Sequence, residues 1–199
     1  MIGNIIGLLI RPKTQWQRIA EKDNFGLFSA VIYTAILACL PAIAWFYGTT
    51  KIGWSVGDGD TIRMTADSAA VIITLFYFTM IASICTIGFM IHWMSETYGA
   101  DSSIAKGVTI ACLSATPLFI AGAVGFSPIF WVALLLGVAA VGYAVYLLYL
   151  GIPIVMRIPE ERGFLFSSAV IAFCLVILMI IMGGTVILWD MGAAPSFTD

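Results

Sequence analysis

The chain has 199 residues, of which 61% are hydrophobic and 10% charged, and its mean hydropathy is +1.05. Nine Lys and Arg stand against eleven Asp and Glu, which excludes a basic surface for nucleic acid. Five apolar stretches near the ~20 residues needed to cross a bilayer take up more than half the chain, leaving loops too short for a soluble domain.

These properties predict an all-α membrane protein, a single domain over residues 1–199 built as a five-transmembrane-helix bundle with an N-terminal amphipathic interfacial helix. The spans are expected at 27–47, 69–93, 104–124, 128–150 and 165–189. A backbone facing lipid must satisfy its own N–H and C=O groups, and these continuous apolar runs lack the alternation of a membrane barrel.

The opening segment, residues 1–22, is too short and too interrupted by Arg11 and Pro12 to be a span or a signal peptide. Ile2, Ile5, Ile6 and Leu9 share one helical face, and Trp16 and Ile19 repeat it beyond Pro12. With Arg11, Lys13, Arg18 and Lys22 beside that face, the segment is expected to lie on the membrane surface, against anionic lipid or a cytoplasmic protein partner, outside the core.

After the first span, GDGD at residues 57–60 opens like a calcium loop but lacks the later acidic positions, and is expected to be a solvated turn. The second span carries Thr79, Ser83 and Thr86 at i, i+4, i+7, a stripe that could line a hydrated cavity or supply interhelical hydrogen bonds. Packing is the preferred reading, because no Asp, Glu or Arg lies mid-span to mark an ion path. The span ends in MIHWM, residues 90–94, where Met90 and Met94 share a face and His92 points ~200° away at 100° per residue. That geometry disfavours a soft-metal site, so His92 is expected at the interface beside Trp93.

In the third span Gly107, Ala111 and Ala115 form a small-xxx-small stripe suited to close helix approach, and Pro117 is expected to kink the helix. Ser114 and Thr116 sit beside the kink and, with the stripe on the second span, would form the pathway of a small-solute or ion transporter, the alternative reading. Cys39, Cys85, Cys112 and Cys174 fall in four different spans and read as small buried hydrophobes. No P-loop, HExxH or GxSxG pattern occurs, and one histidine with scattered carboxylates assembles no catalytic or metal constellation. Neither an enzyme nor a cofactor is expected.

Seven of the nine basic residues, Arg11, Lys13, Arg18, Lys22, Lys106, Arg157 and Arg162, fall on one side of the spans, against Lys51 and Arg63 on the other. The excess puts the N-terminus in the cytoplasm and, after five spans, the C-terminus outside. Trp45, Tyr47, Trp131 and Trp189 at the outer ends and Trp93, Tyr98, Tyr146 and Tyr149 at the inner ends give the same boundaries.

The strings RPKTQWQRIAEK before the first span, GTTKIGWSVGDGD after it, ATPLF in the third, YLLYLGIP ending the fourth and VILW closing the fifth occur in this order. As a set, from about Arg11 to Trp189, they resemble the bacterial Yip family in its YohC-type inner-membrane form. The resemblance implies a five-span fold with a cytoplasmic N-terminus and supplies no activity. Eukaryotic relatives bind Rab-type GTPases, but the long N-terminal region and acidic motif associated with that role are not found in this sequence. The expectation is therefore a non-enzymatic inner-membrane scaffold that works through lipid or protein partners.

Overall fold

The structure, a computed structural model, describes residues 4–22, 24–54, 61–127 and 129–198. The GDGD turn at 57–60, Pro128 at the expected start of the fourth span, and Ile2 lie outside the described residues. Eight α-helices follow in order among the described residues: α1 Asn4–Ile10, α2 Pro12–Lys22, α3 Leu27–Tyr47, α4 Ala66–Ser95, α5 Ile104–Ser114, α6 Thr116–Ala121, α7 Phe130–Met156 and α8 Glu160–Leu188. Five segments are long and apolar enough to cross a membrane, with α5 and α6 sharing the third.

Each segment is continued or stopped by local chemistry. Thr49 and Thr50 return their hydroxyls to Trp45 and Phe46 carbonyls as α3 widens into a π turn over Gly48–Ile52. Ser103 caps α5 by accepting the Lys106 amide at 3.2 Å. Met156 ends α7 because Arg157 takes a left-handed conformation, φ 53°.

The helices alternate in direction, which gives the bundle two ends. At one end α1 and α2, a helical arm bent near Arg11 but kept continuous by the Arg11→Gly7 and Gln15→Arg11 backbone bonds, fold back along α7; this arm is called the hairpin, and its end of the bundle the hairpin end. At the other, the cap end, β1 Arg63–Met64 pairs antiparallel with β2 Phe197–Thr198. The C-terminal tail is thereby tied to the loop after α3: the Thr65 amide donates to the Ser196 carbonyl, and Trp54 meets Phe197 edge to face at 5.9 Å. Nothing in the tail's composition signals this pairing.

The core is built around α5, every residue of which from 107 to 114 is buried among α3, α4 and α7. In α7 and α8, packing is concentrated at the hairpin end. The buried positions of α8 are Gly163, Phe166, Ser167 and Val170, all in its first half, and six of the seven in α7 lie from Leu147 onward. Toward the cap end α8 is mostly exposed along its remaining length. In a bilayer those apolar faces meet lipid tails.

Two glycines set the tightest crossing. A Cβ on Gly107 would strike the carbonyl oxygen of Gly88, and one on Gly88 would sit 2.6 Å from the Val108 backbone nitrogen. Backbone therefore meets backbone where α4 crosses α5, the close approach that small residues permit in membranes. Ala111 and Ala115 are buried in the third span as well. Gly88, the other half of the crossing, carries no such pattern.

Several expectations need correction. The third span is split by Pro117 as well as bent: α5 ends at Ser114, Ala115 holds φ −79°, ψ −7°, and Pro117 sits in the first turn of a new helix, α6. A missing N–H and a clashing ring are tolerated in the first turn but not mid-helix, so the helix restarts there. Cys39 is exposed, so of the four cysteines only Cys112 is a fully buried hydrophobe. Tyr98, just beyond the end of α4, stacks on Phe166 at 4.7 Å and 6°.

Trp16 is the largest correction. Assigned to the membrane surface, it is fully buried and packs against Gly151, where a Cβ would come 2.8 Å from its ring. Leu8 is buried too, and Tyr143 of α7 donates to the Leu8 and Leu9 carbonyls at 2.9 and 3.0 Å. Tyr143 precedes Met156 by thirteen residues, about 20 Å along the helix. Hence α1 runs along the bundle wall, because Gly151 opens a slot that an indole fills better than lipid does.

Candidate functional site

Two places in the spans are candidates for a site, a buried hydroxyl cluster and a mostly apolar cavity. The first is the α5–α6 break. Tyr33 of α3 bonds Thr116 through their hydroxyls at 2.7 Å, and Thr116 also donates to the Cys112 carbonyl at 3.2 Å. Thr34 returns its hydroxyl to the Ala30 carbonyl, while Cys112 points its thiol at the Thr109 carbonyl. The Ser114 and Thr109 hydroxyl oxygens are buried without a hydrogen-bond partner. This cluster ties α3 to the break, and Tyr33, Thr34 and Thr109 are members that sequence reasoning missed. The signal for Tyr33 and Thr34 was their pairing inside an otherwise apolar run.

A hydroxyl becomes a nucleophile only beside a base. The buried polar side chains among the described residues are Thr34, Ser95, Thr109, Ser114, Thr116 and Ser167, with no carboxylate, amine or imidazole among them. The cluster can hold helices together or hold water, and it has no group to activate a substrate. No group of three metal-ligating side chains comes together among the described residues. His92 lies at the hairpin end of α4, its Nδ1 buried and unpartnered.

The stripe of Thr79, Ser83 and Thr86 falls elsewhere. The buried face of α4 in the hairpin half is Ile84, Gly88, Ile91 and Ser95. At 100° per residue the stripe lies ~140° around the helix from that face, turned away from α5. Thr86 is exposed and bonds the Ala82 carbonyl of its own helix, 2.8 Å away, and Ser83 is half-buried. The five hydroxyl residues therefore do not line one path. The Gly88 crossing fixes the rotation of α4, and that rotation carries the stripe outward.

Thr79 borders the second place, a cavity of about 540 Å³ between the cap halves of α3, α4 and α8. Trp45 and Trp189 stand on its wall with Ile73, Phe76, Ile181 and Leu188, and its other polar lining comes from Thr49 and Thr185. The space exists because α8 packs tightly only in its hairpin half. Around the hairpin, Arg11, Lys13, Arg18 and Lys22 are all exposed; Arg18 and Lys22 lie on the side of α2 away from Trp16, while Lys13 is ~60° from it.

Residues 6–181, from α1 into α8, match the family model described as the Yip1 domain. The chain belongs to the Yip1 family. Two relatives, both described as inner membrane protein YohC, come from Escherichia coli strain K12 and Escherichia coli O6:H1 strain CFT073. Each is 35% identical over 191 residues, covering 96% of this chain and 98% of the relative. No solved structure matches the chain. With its five apolar segments, this Yip1-family protein is a multi-pass inner-membrane protein. The Yip1 match begins within α1, so the buried hairpin falls inside the domain, whereas the β2 strand of the cap lies beyond it.

Proposed function

We propose that the protein is a non-enzymatic scaffold of the inner membrane, with its N-terminus in the cytoplasm, acting through lipid and protein partners. The observation that carries this reading is the make-up of the bundle interior: the fully buried polar residues among those described are Ser and Thr, with no Asp, Glu, Lys or Arg among them. Carrying a charged solute through hydrocarbon requires water or compensating charges, since a charge at the bilayer centre costs at least ~2.5–3.5 kcal/mol on insertion scales. The exposed Arg11, Lys13, Arg18 and Lys22 are the partner surface of this reading, offered to a cytoplasmic protein or anionic headgroups.

The test is flux. Purified protein in liposomes should give no ion-selective current and no coupled solute uptake. A robust flux abolished by Ser83→Leu, with folding intact, would replace the scaffold by a transporter. On the scaffold reading, reversing Lys13, Arg18 and Lys22 to Glu should strip copurifying partners or anionic lipid while the bundle melts as before.

A further inference from the structure

We infer that the cavity between α3, α4 and α8 is a binding site for one phospholipid with a zwitterionic, amine-bearing headgroup, its acyl chain in the cavity and its headgroup at the cap. The wall is apolar apart from three threonines, and all three helices that form it are membrane-spanning segments. Its volume of about 540 Å³ lies within the ~300–1,000 Å³ typical of ligand sites. At this depth the surrounding solvent is acyl chain, and Trp45 and Trp189 on the cap side mark the level where headgroups begin.

The headgroup assignment rests on exposed charged residues that lie close in sequence to the cap-side lining residues. Lys51 lies two residues beyond the lining residue Thr49, Arg63 adjoins Met64, and Asp190 adjoins Trp189; Asp67 opens α4 just after Met64. All four are exposed, and among the described residues neither acid is ion-paired with either base. The Arg63 Nε donates to the Ile52 carbonyl at 3.4 Å, which draws that guanidinium toward the turn bearing Lys51. Two cations suit a phosphate and two anions suit an ammonium, so this set matches a headgroup holding both better than a purely anionic one. The assignment goes beyond the scaffold reading and does not depend on it, because labelling of the cavity is indifferent to whether solute crosses the membrane.

The test reconstitutes the full chain in phosphatidylglycerol vesicles doped with phosphatidylethanolamine carrying a diazirine on its acyl chain, followed by irradiation and peptide mapping. Label should concentrate on Ile73, Phe76, Ile181 and Leu188 about tenfold over the lipid-exposed positions Leu135 and Val138, a preference of ~1.4 kcal/mol. Excess unlabelled phosphatidylethanolamine should displace it, Ile73→Trp should reduce it to the level at Leu135, and Lys51→Ala with Asp190→Ala should erase the preference over an equivalent phosphatidylglycerol probe. Even labelling of all lipid-facing positions would overturn the site, as would equal labelling of the cavity by both probes in the unaltered chain. The competition arm uses that same chain, so the proposal stays testable if the tryptophan variant fails to fold.

Discussion

At Gly88 the α4 backbone has no side chain to hold α5 away, and Val108 lies where that side chain would be. Gly88→Val should force the crossing apart at a cost of ~1–3 kcal/mol, since a close-packed interface cannot absorb added volume. A lower melting temperature in detergent checks this, and Ala111→Leu should act in the same direction because Ala111 lies on the same buried face. The polar contact at the break matters less. Tyr33→Phe removes the bond to Thr116 but leaves Thr116 its Cys112 carbonyl, so the expected loss is only ~0.6 kcal/mol, the average for interhelical bonds in membranes. A Tyr33→Phe loss as large as that of Gly88→Val would reverse this ranking of packing over hydrogen bonding.

Among the elements, the α1–α2 hairpin departs furthest from its sequence-based expectation. A helix lying on the surface could be removed with the bundle intact; one that inserts Trp16 against Gly151 and receives a bond from Tyr143 cannot. Deleting residues 1–22 should lower the melting temperature and expose α7 to protease. Trp16→Ala alone should cost up to ~3–5 kcal/mol, the range for a buried aromatic, reduced to the extent that lipid fills the slot. An unchanged melting curve for both variants would return the hairpin to the membrane surface. The basic residues of α2 stay exposed, so one element serves packing through one face and leaves the other to partners.

Over the whole molecule, the topology prediction follows from the seven-to-two distribution of basic residues. A reporter active only in the cytoplasm should work when fused at Met1 or inserted near Arg162 and fail at Asp199. Activity at Asp199 would overturn the orientation. Because β2 pairs with β1, a C-terminal fusion also tests the cap: with the pairing intact, the Thr65 amide, which donates to the Ser196 carbonyl, should exchange hydrogen more slowly than those of an unpaired loop.

The sequence by itself determined the solvent, the number of spans and the family, because each depends on quantities local to a segment: apolar length, the placement of charge, and short strings in order. It also revealed the stripe of Gly107, Ala111 and Ala115, a pattern within one helix. What only the tertiary structure decided are relations between segments. A lone Gly88 acquires meaning when Gly107 stands opposite it, and the rotation set there turns Thr79, Ser83 and Thr86 away from the interior. Trp16 looks like an interfacial anchor until Gly151 supplies its slot, since the same indole suits either a headgroup layer or a cavity. The opening of α8 from its neighbours toward the cap, and the cavity it leaves, have no periodicity to announce them. They arise because α7 and α8 carry most of their buried residues near the hairpin end, so their close packing there leaves their cap halves to lipid.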